Sequence, residues 1–145
     1  MSNGSPEKIH LIPDEFHIFD VGTLADGRLY FVDTQVEPSP AGARDFFCTF
    51  LFTADGALAT STITLIGRRG DCPDDAMRAS HEQHIAALGP RTRTDIWVRP
   101  FSVHSNGTEF GLIPQQVDDG EWVVEFMPGN TLSFYAPWKD GLYDT

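Results

Sequence analysis

Two histidines one helical turn apart, His81 and His84, sit in the run DCPDDAMRASHEQHIAALGP from Asp71 to Pro90. On a helix, residues three apart share a face, so the pair can hold one metal ion. Glu82 lies beside them, but the zinc-protease pattern His-Glu-x-x-His needs one more residue between the histidines, so that chemistry does not fit. A third ligand would come from Cys72 or His104. Cys72 stands more than about 10 Å from His81 along a helix axis, too far unless the loop folds back. Both histidines are therefore read as residues at the core-facing edge of a helix, and no metal or other cofactor is expected.

Three further sets of residues invite chemistry. Cys72 lies at the start of the same run, where a helix dipole favours a thiolate. Asp71, Asp74 and Asp75 repel one, and no glycine-rich elbow surrounds the thiol, so it is read as a loop cysteine. Cys48 falls in an apolar run and reads as core. Asp20 and Asp33 lie in two neighbouring expected strands and can face each other across a hairpin, where a buried carboxyl pair does acid-base work. They are read instead as strand-end carboxylates in solvent. Arg68 and Arg69 precede the helix and Arg91 and Arg93 follow it. The helix spans roughly 24 Å, so these are two separate pairs and not one phosphate clamp, with Arg99 free to join either. P-loop, dinucleotide-binding, EF-hand and Cys-x-x-Cys patterns do not occur. No catalytic residue is assigned.

The element that must position the histidines is the one long helical pattern. Asp71 or Cys72 can cap it, Pro73 suits its first turn, and Asp74 and Asp75 complement its dipole. Gly89 and Pro90 stop it. Met77, His81, His84, Ile85 and Leu88 share one face, with Arg78, Glu82 and Gln83 elsewhere.

Strands flank this helix on both sides. Before it come Phe16–Gly22, Arg28–Gln35, Asp45–Thr53 and Ala57–Ile66. Asp26-Gly27 and Asp55-Gly56 are hairpin signals whose two central residues need positive φ. The run Asp45–Thr53 is apolar on both faces, with Phe46, Cys48, Phe50 and Phe52 on one and Phe47 and Leu51 on the other. It is therefore a central strand covered on both sides, with Phe50 buried. After the helix come Thr94–His104, kept at an edge or bulge by Pro100, then Glu109–Pro114, Glu121–Met127 and Thr131–Ala136. Ser105-Asn106-Gly107 is a third turn, and Pro128-Gly129 fits a type II turn. In Glu121–Met127, Trp122, Val124 and Phe126 point inward and Glu121, Val123 and Glu125 outward. The expected fold is α+β: a curved, mostly antiparallel sheet of about eight strands with a single central helix packed on one face. Residues 1–145 read as a single domain with a flexible N-terminal tail over residues 1–8.

Charge narrows the function. Ten Lys and Arg stand against 21 Asp and Glu, a net charge of −11. That disfavours nucleic acid and anionic membranes as partners and favours a basic protein. The basic residues gather around the helix, and the strand-rich flanks carry the acids. No apolar run is long enough to span a membrane, no signal peptide opens the chain, and two cysteines are too few for a disulfide scaffold, so a cytoplasmic setting is expected. The leading expectation is a small acidic protein-binding module, of the kind that bacterial immunity or inhibitor proteins use to mask a basic toxin or nuclease. Its surface would be Glu121, Glu125, Trp138, Asp140 and Tyr143, with aromatics as anchors and acids as steering charges. The alternative is a small-molecule or enzymatic site, an aromatic-lined pocket closed by the helix, with His81, His84, Trp97 and Arg99 in its wall.

Overall fold

The computed structural model describes residues 6–14, 20–73 and 75–145. In chain order the elements are β1 (Ile9–Leu11), β2 (Asp20–Leu24), β3 (Leu29–Glu37), β4 (Arg44–Phe52), β5 (Leu58–Arg68), α1 (Ala76–Leu88), β6 (Arg91–Arg93), β7 (Ile96–Val98), β8 (Phe101–Ser105), β9 (Thr108–Gln116), β10 (Trp122–Met127), β11 (Ser133–Tyr135) and β12 (Tyr143–Asp144). They form a first sheet ordered β5-β4-β3-β2-β6, a second ordered β12-β11-β10-β9-β8, and a two-stranded ribbon β1-β7. Every pairing is antiparallel.

The alternation in β4 dictates the layering. Phe46, Cys48, Phe50 and Phe52 enter a core shared with Phe101, Phe110, Leu112, Val124, Phe126 and Phe134 of the second sheet. Rings meet across the two sheets: Phe31 and Phe126 at 5.1 Å, Phe46 and Phe110 at 4.9 Å, Phe50 and Phe101 at 4.8 Å between centroids. These are ordinary aromatic-pair separations, and each pair adds to the burial of its own rings. Phe47 and Leu51, on the other face of β4, pack with Tyr30, Val32 and Leu24 against Met77, Ile85 and Leu88 of α1. The molecule is thus layered helix, sheet, sheet. The ribbon contributes Ile9, Leu11, Ile96 and Val98 to the inter-sheet core.

Polar groups tie the layers as well. Gln35, 2% exposed, donates from Nε2 to Thr131 Oγ1 at 3.1 Å, and its Oε1 accepts the Gly129 N–H at 2.6 Å. Gly129 has no room for a side chain, because a Cβ there would lie 2.7 Å from the Val36 carbonyl oxygen. Arg44 reaches from β4 to the β8–β9 turn, donating to Asn106 O at 3.0 Å and Thr108 Oγ1 at 3.2 Å, and it pairs with Glu37 at 2.7 Å.

The α+β class, the antiparallel pairing and the single helix agree with the sequence reading; several details differ. The described residues hold twelve strands in three sheets rather than about eight in one. The expected strand Thr94–His104 divides into β7 and β8 at Arg99-Pro100, since proline cannot donate to a ladder. The helix begins at Ala76, with Asp75 in the capping position but without a side-chain cap, so neither Asp71 nor Cys72 caps it and Pro73 precedes its first turn. Its end is as read, with Gly89 at φ 71° donating to Ala86 O. At the first two hairpins only Gly27 and Gly56 have positive φ. Each is a turn closed by a left-handed glycine, and only Asn106-Gly107 places two central residues at positive φ. Pro128-Gly129 is not a type II turn: Asn130, at φ 50°, takes the left-handed place. In the expected tail, Glu7 and Lys8 pair with Arg99 and Asp55. Residues 1–5, 15–19 and 74 lie outside the described residues, and with them the start of the expected tail, the first part of the expected strand Phe16–Gly22 and the charge of Asp74. No helix among the described residues is long and apolar enough to cross a membrane.

Candidate binding surface

In β10, Val124 and Phe126 are buried in the core, so Val123, Glu125 and Met127 stand on the opposite, outer face of the second sheet. The same parity puts Ile113 and Gln115 of β9 and Ser133 and Tyr135 of β11 on that face. Register aligns them in rows: Gln115, Val123 and Tyr135 in one, Ile113, Glu125 and Ser133 in the next. Glu125 therefore sits mid-sheet with Ile113 directly opposite on one neighbouring strand. Val123 and Met127 follow two residues away on its own strand. Ile113, Val123, Met127 and Tyr135 are each half-buried. α1 packs on the far side of the first sheet, against β4 and β5, and among the described residues no helix covers this outer face.

At the end of this face the β9–β10 hairpin projects. Residues Gln115 to Glu121 are all exposed, and they include Asp118, Asp119 and Glu121 beside Val117, which is 42% exposed. Glu125 accepts one hydrogen bond from Asn130 Nδ2 at 3.0 Å, and Glu109 accepts one from the Ser102 hydroxyl at 2.6 Å.

The distribution of ion pairs sets the field. Arg28 pairs with Asp26, Arg69 with Asp45, Arg91 and Arg93 with Asp20, and Arg99 with Glu7 and Asp55. Among the described residues no ion pair involves a carboxylate beyond Asp95. Glu109, Asp118, Asp119, Glu121, Glu125, Asp140 and Asp144 thus face solvent with Lys139 as the one Lys or Arg after Phe101. Asp20, Asp26, Glu37, Asp45 and Asp55, in the first sheet and its loops, have cationic partners, whereas the described carboxylates of the second sheet have none.

The C-terminal residues named from the sequence have a different position. Trp138, at φ 43°, is half-buried and packs on the inter-sheet core. Tyr143 also packs there, with its ring 5.6 Å from Phe134 and its hydroxyl donating to the Asp14 carboxylate. Burial, reinforced by Asp14, pushes the Tyr143 hydroxyl up to about 12. β12, which carries Tyr143, pairs along the edge of β11 and covers it. Asp140 is exposed nearby. The structure thus brings Glu121 and Glu125 onto one outer face and sets Trp138 and Tyr143 inward from it.

The alternative pocket residues do not meet. His84, 6% exposed, lies on the sheet-facing side of α1, with Nδ1 2.6 Å from Thr49 Oγ1 and Nε2 2.9 Å from Thr64 Oγ1. His81 stacks on Phe47 at 5.5 Å. Trp97 belongs to the ribbon, stacked on His10 at 4.3 Å, and Arg99 is engaged by Glu7 and Asp55. Among the described residues no group of three or more His, Cys, Asp or Glu is placed to hold a metal ion.

Asp20 and Asp33 are not solvated strand ends. They are 7% and 8% exposed, and the register pairs Asp20 with Val32, which puts them on opposite faces of the first sheet. Asp20 accepts from the Tyr30 hydroxyl at 2.8 Å and from Arg91 at 3.1 Å, so a buried carboxylate is both paired and hydrogen-bonded. Cys72 donates its thiol to Arg68 O at 3.2 Å.

The sequence reading missed two features. The first is the apolar surround of Glu125, although Ile113, Val123 and Tyr135 follow from period two once the neighbouring strands are known. The second is the period-two row Thr60, Thr62 and Thr64 in β5, of which Thr62 and Thr64 line a space beside the helix. Comparisons with protein-family models, curated proteins and solved structures found no match.

Proposed function

We propose that this chain is a non-enzymatic, acidic binding module that docks a basic protein on the outer face of its second sheet. The mode resembles that of an immunity or inhibitor protein masking the cleft of a toxin or nuclease. The observation that carries the reading is the second sheet's set of carboxylates without ion pairs, with Glu125 framed by half-buried Ile113, Val123, Met127 and Tyr135. A carboxylate in an apolar frame suits an inserted Lys or Arg, whose stem packs on the frame while its head meets the charge. Asp118, Asp119 and Glu121 on the projecting hairpin would steer the approach. The same charges repel a second copy of the chain. The thiols of Cys48 and Cys72 are free, which suits a reducing, cytoplasmic setting.

Photo-crosslinking from a reactive side chain at Val123, in an extract of the source cells, tests this. The expected adduct is one basic protein, lost when Glu121→Lys and Glu125→Lys are introduced together. A reactive group at Glu82, on the exposed face of α1, should not give it. An acidic partner at Val123, or the same adduct from both positions, contradicts the reading.

A further inference from the structure

The face of the first sheet beneath α1 is not uniformly apolar. Phe47 and Leu51 of β4 flank Thr49, and register sets Thr49 opposite Thr62 and Phe47 opposite Thr64. Against them the helix places His84, Gln83, Ala87 and Leu88, and a cleft of about 190 Å³ stays open between the two elements. A helix packed on a sheet ordinarily excludes hydroxyls from the contact, and departures from that rule mark functional positions. A void of about 150 Å³ accommodates benzene, so this cleft has room for a single substituted ring.

The hydrogen bonds limit what can enter. A neutral imidazole donates from one nitrogen and accepts at the other. Of Thr49 and Thr64, one hydroxyl therefore accepts from His84 and keeps its own proton to give, while the other donates and keeps lone pairs to receive. Exchange of the His84 tautomer reverses the two roles. Burial, with His81 as a lesser cause, lowers the pKa of His84 and so favours the neutral ring. Thr62 and Gln83 add a hydroxyl and an amide at the rim, Leu51, Ala87 and Leu88 supply an apolar side, and no Asp, Glu, Lys or Arg lines the space.

We propose that the cleft between α1 and strands β4 and β5 is a binding site for a small uncharged molecule of single-ring size. Such a molecule carries a hydrogen-bond donor next to an acceptor, opposite an apolar edge. The ring lies on Leu51, Ala87 and Leu88 while its polar edge bonds to the hydroxyls of Thr49 and Thr64 and to that of Thr62 at the rim.

The site is tested by following backbone amides in ¹H–¹⁵N spectra while 2-pyridone is added, with benzoate and benzylammonium as charged rings of similar size. The expected result is saturable shifts at Thr62, Thr64, Gln83, His84 and Leu88 with 2-pyridone alone. Thr62→Val, at an exposed position that leaves the fold intact, should weaken binding roughly tenfold, the loss of about one hydrogen bond. Ala87→Phe, also exposed, should fill the cleft and abolish the shifts. Absence of saturable shifts at these residues overturns the proposal. So does equal binding of benzoate, or an undiminished response in Ala87→Phe.

Discussion

At the level of single residues, His84 is held on both sides of its ring in the helix–sheet layer. It is buried and holds both ring nitrogens against hydroxyls, and burial with a contribution from His81 depresses its pKa. The unfolded ring titrates at about 6.5. Between the folded value and that one the unfolded chain binds more protons, so stability rises with pH across the interval. It is full above about pH 6.5 and is lost as the pH falls below it. Denaturant midpoints measured from pH 5 to 8 should therefore decline on the acid side more steeply in the wild type than in His84→Gln. Equal slopes contradict the assignment. His84's place on the buried face was legible from helical spacing, and so was the burial of Phe50 from period two. Asp20 was not legible, because its partners Tyr30, Arg91 and Arg93 come from a neighbouring strand and from an edge strand 71 residues along the chain.

Among elements, those with a strong period were readable and the short ones were not. β4 and β10 alternate over their full length, and Phe46, Cys48, Phe50, Phe52, Val124 and Phe126 enter the core as read, whereas Trp122 is only half-buried. β1, β6, β7, β11 and β12 have two or three residues each, too few to show a period against the surrounding loops. The helix stop was readable because Gly89 has a backbone reason to be there. The start was not, since Asp71, Cys72, Pro73 and Asp75 all suit more than one capping register. The β10–β11 hairpin shows how one element is held by another. Its Gly129 touches the Val36 carbonyl and donates to Gln35. Gly129→Ala should lower stability by about 1–3 kcal/mol through that steric contact, seen as a shifted denaturant midpoint. An unchanged midpoint means the two sheets are not seated on each other at this hairpin.

For the whole molecule, the alternation within each strand told which residues face inward but not what they face. That is why one curved sheet was expected where two sheets and a ribbon pack around a shared core. A strand apolar on both faces does require two covers, and α1 with the second sheet supplies them to β4. The charge pattern was legible from the start, and the fold gives it a geometry. Five acids of the first sheet and its loops, Asp20, Asp26, Glu37, Asp45 and Asp55, are matched by nearby arginines. Those of the second sheet stand on an uncovered face around Glu125 and on the hairpin beyond it. If that face docks a basic protein, attraction between opposite charges must accelerate encounter and salt must slow it. The most direct test is the association rate constant with the protein captured at Val123, measured by stopped flow from low to high ionic strength. The wild type should associate more slowly as salt rises, while Glu121→Lys with Glu125→Lys should associate at least about tenfold more slowly at low salt and with a flattened salt dependence. A rate that ignores salt, or one that the two reversals leave unchanged, would contradict a docking surface on the second sheet.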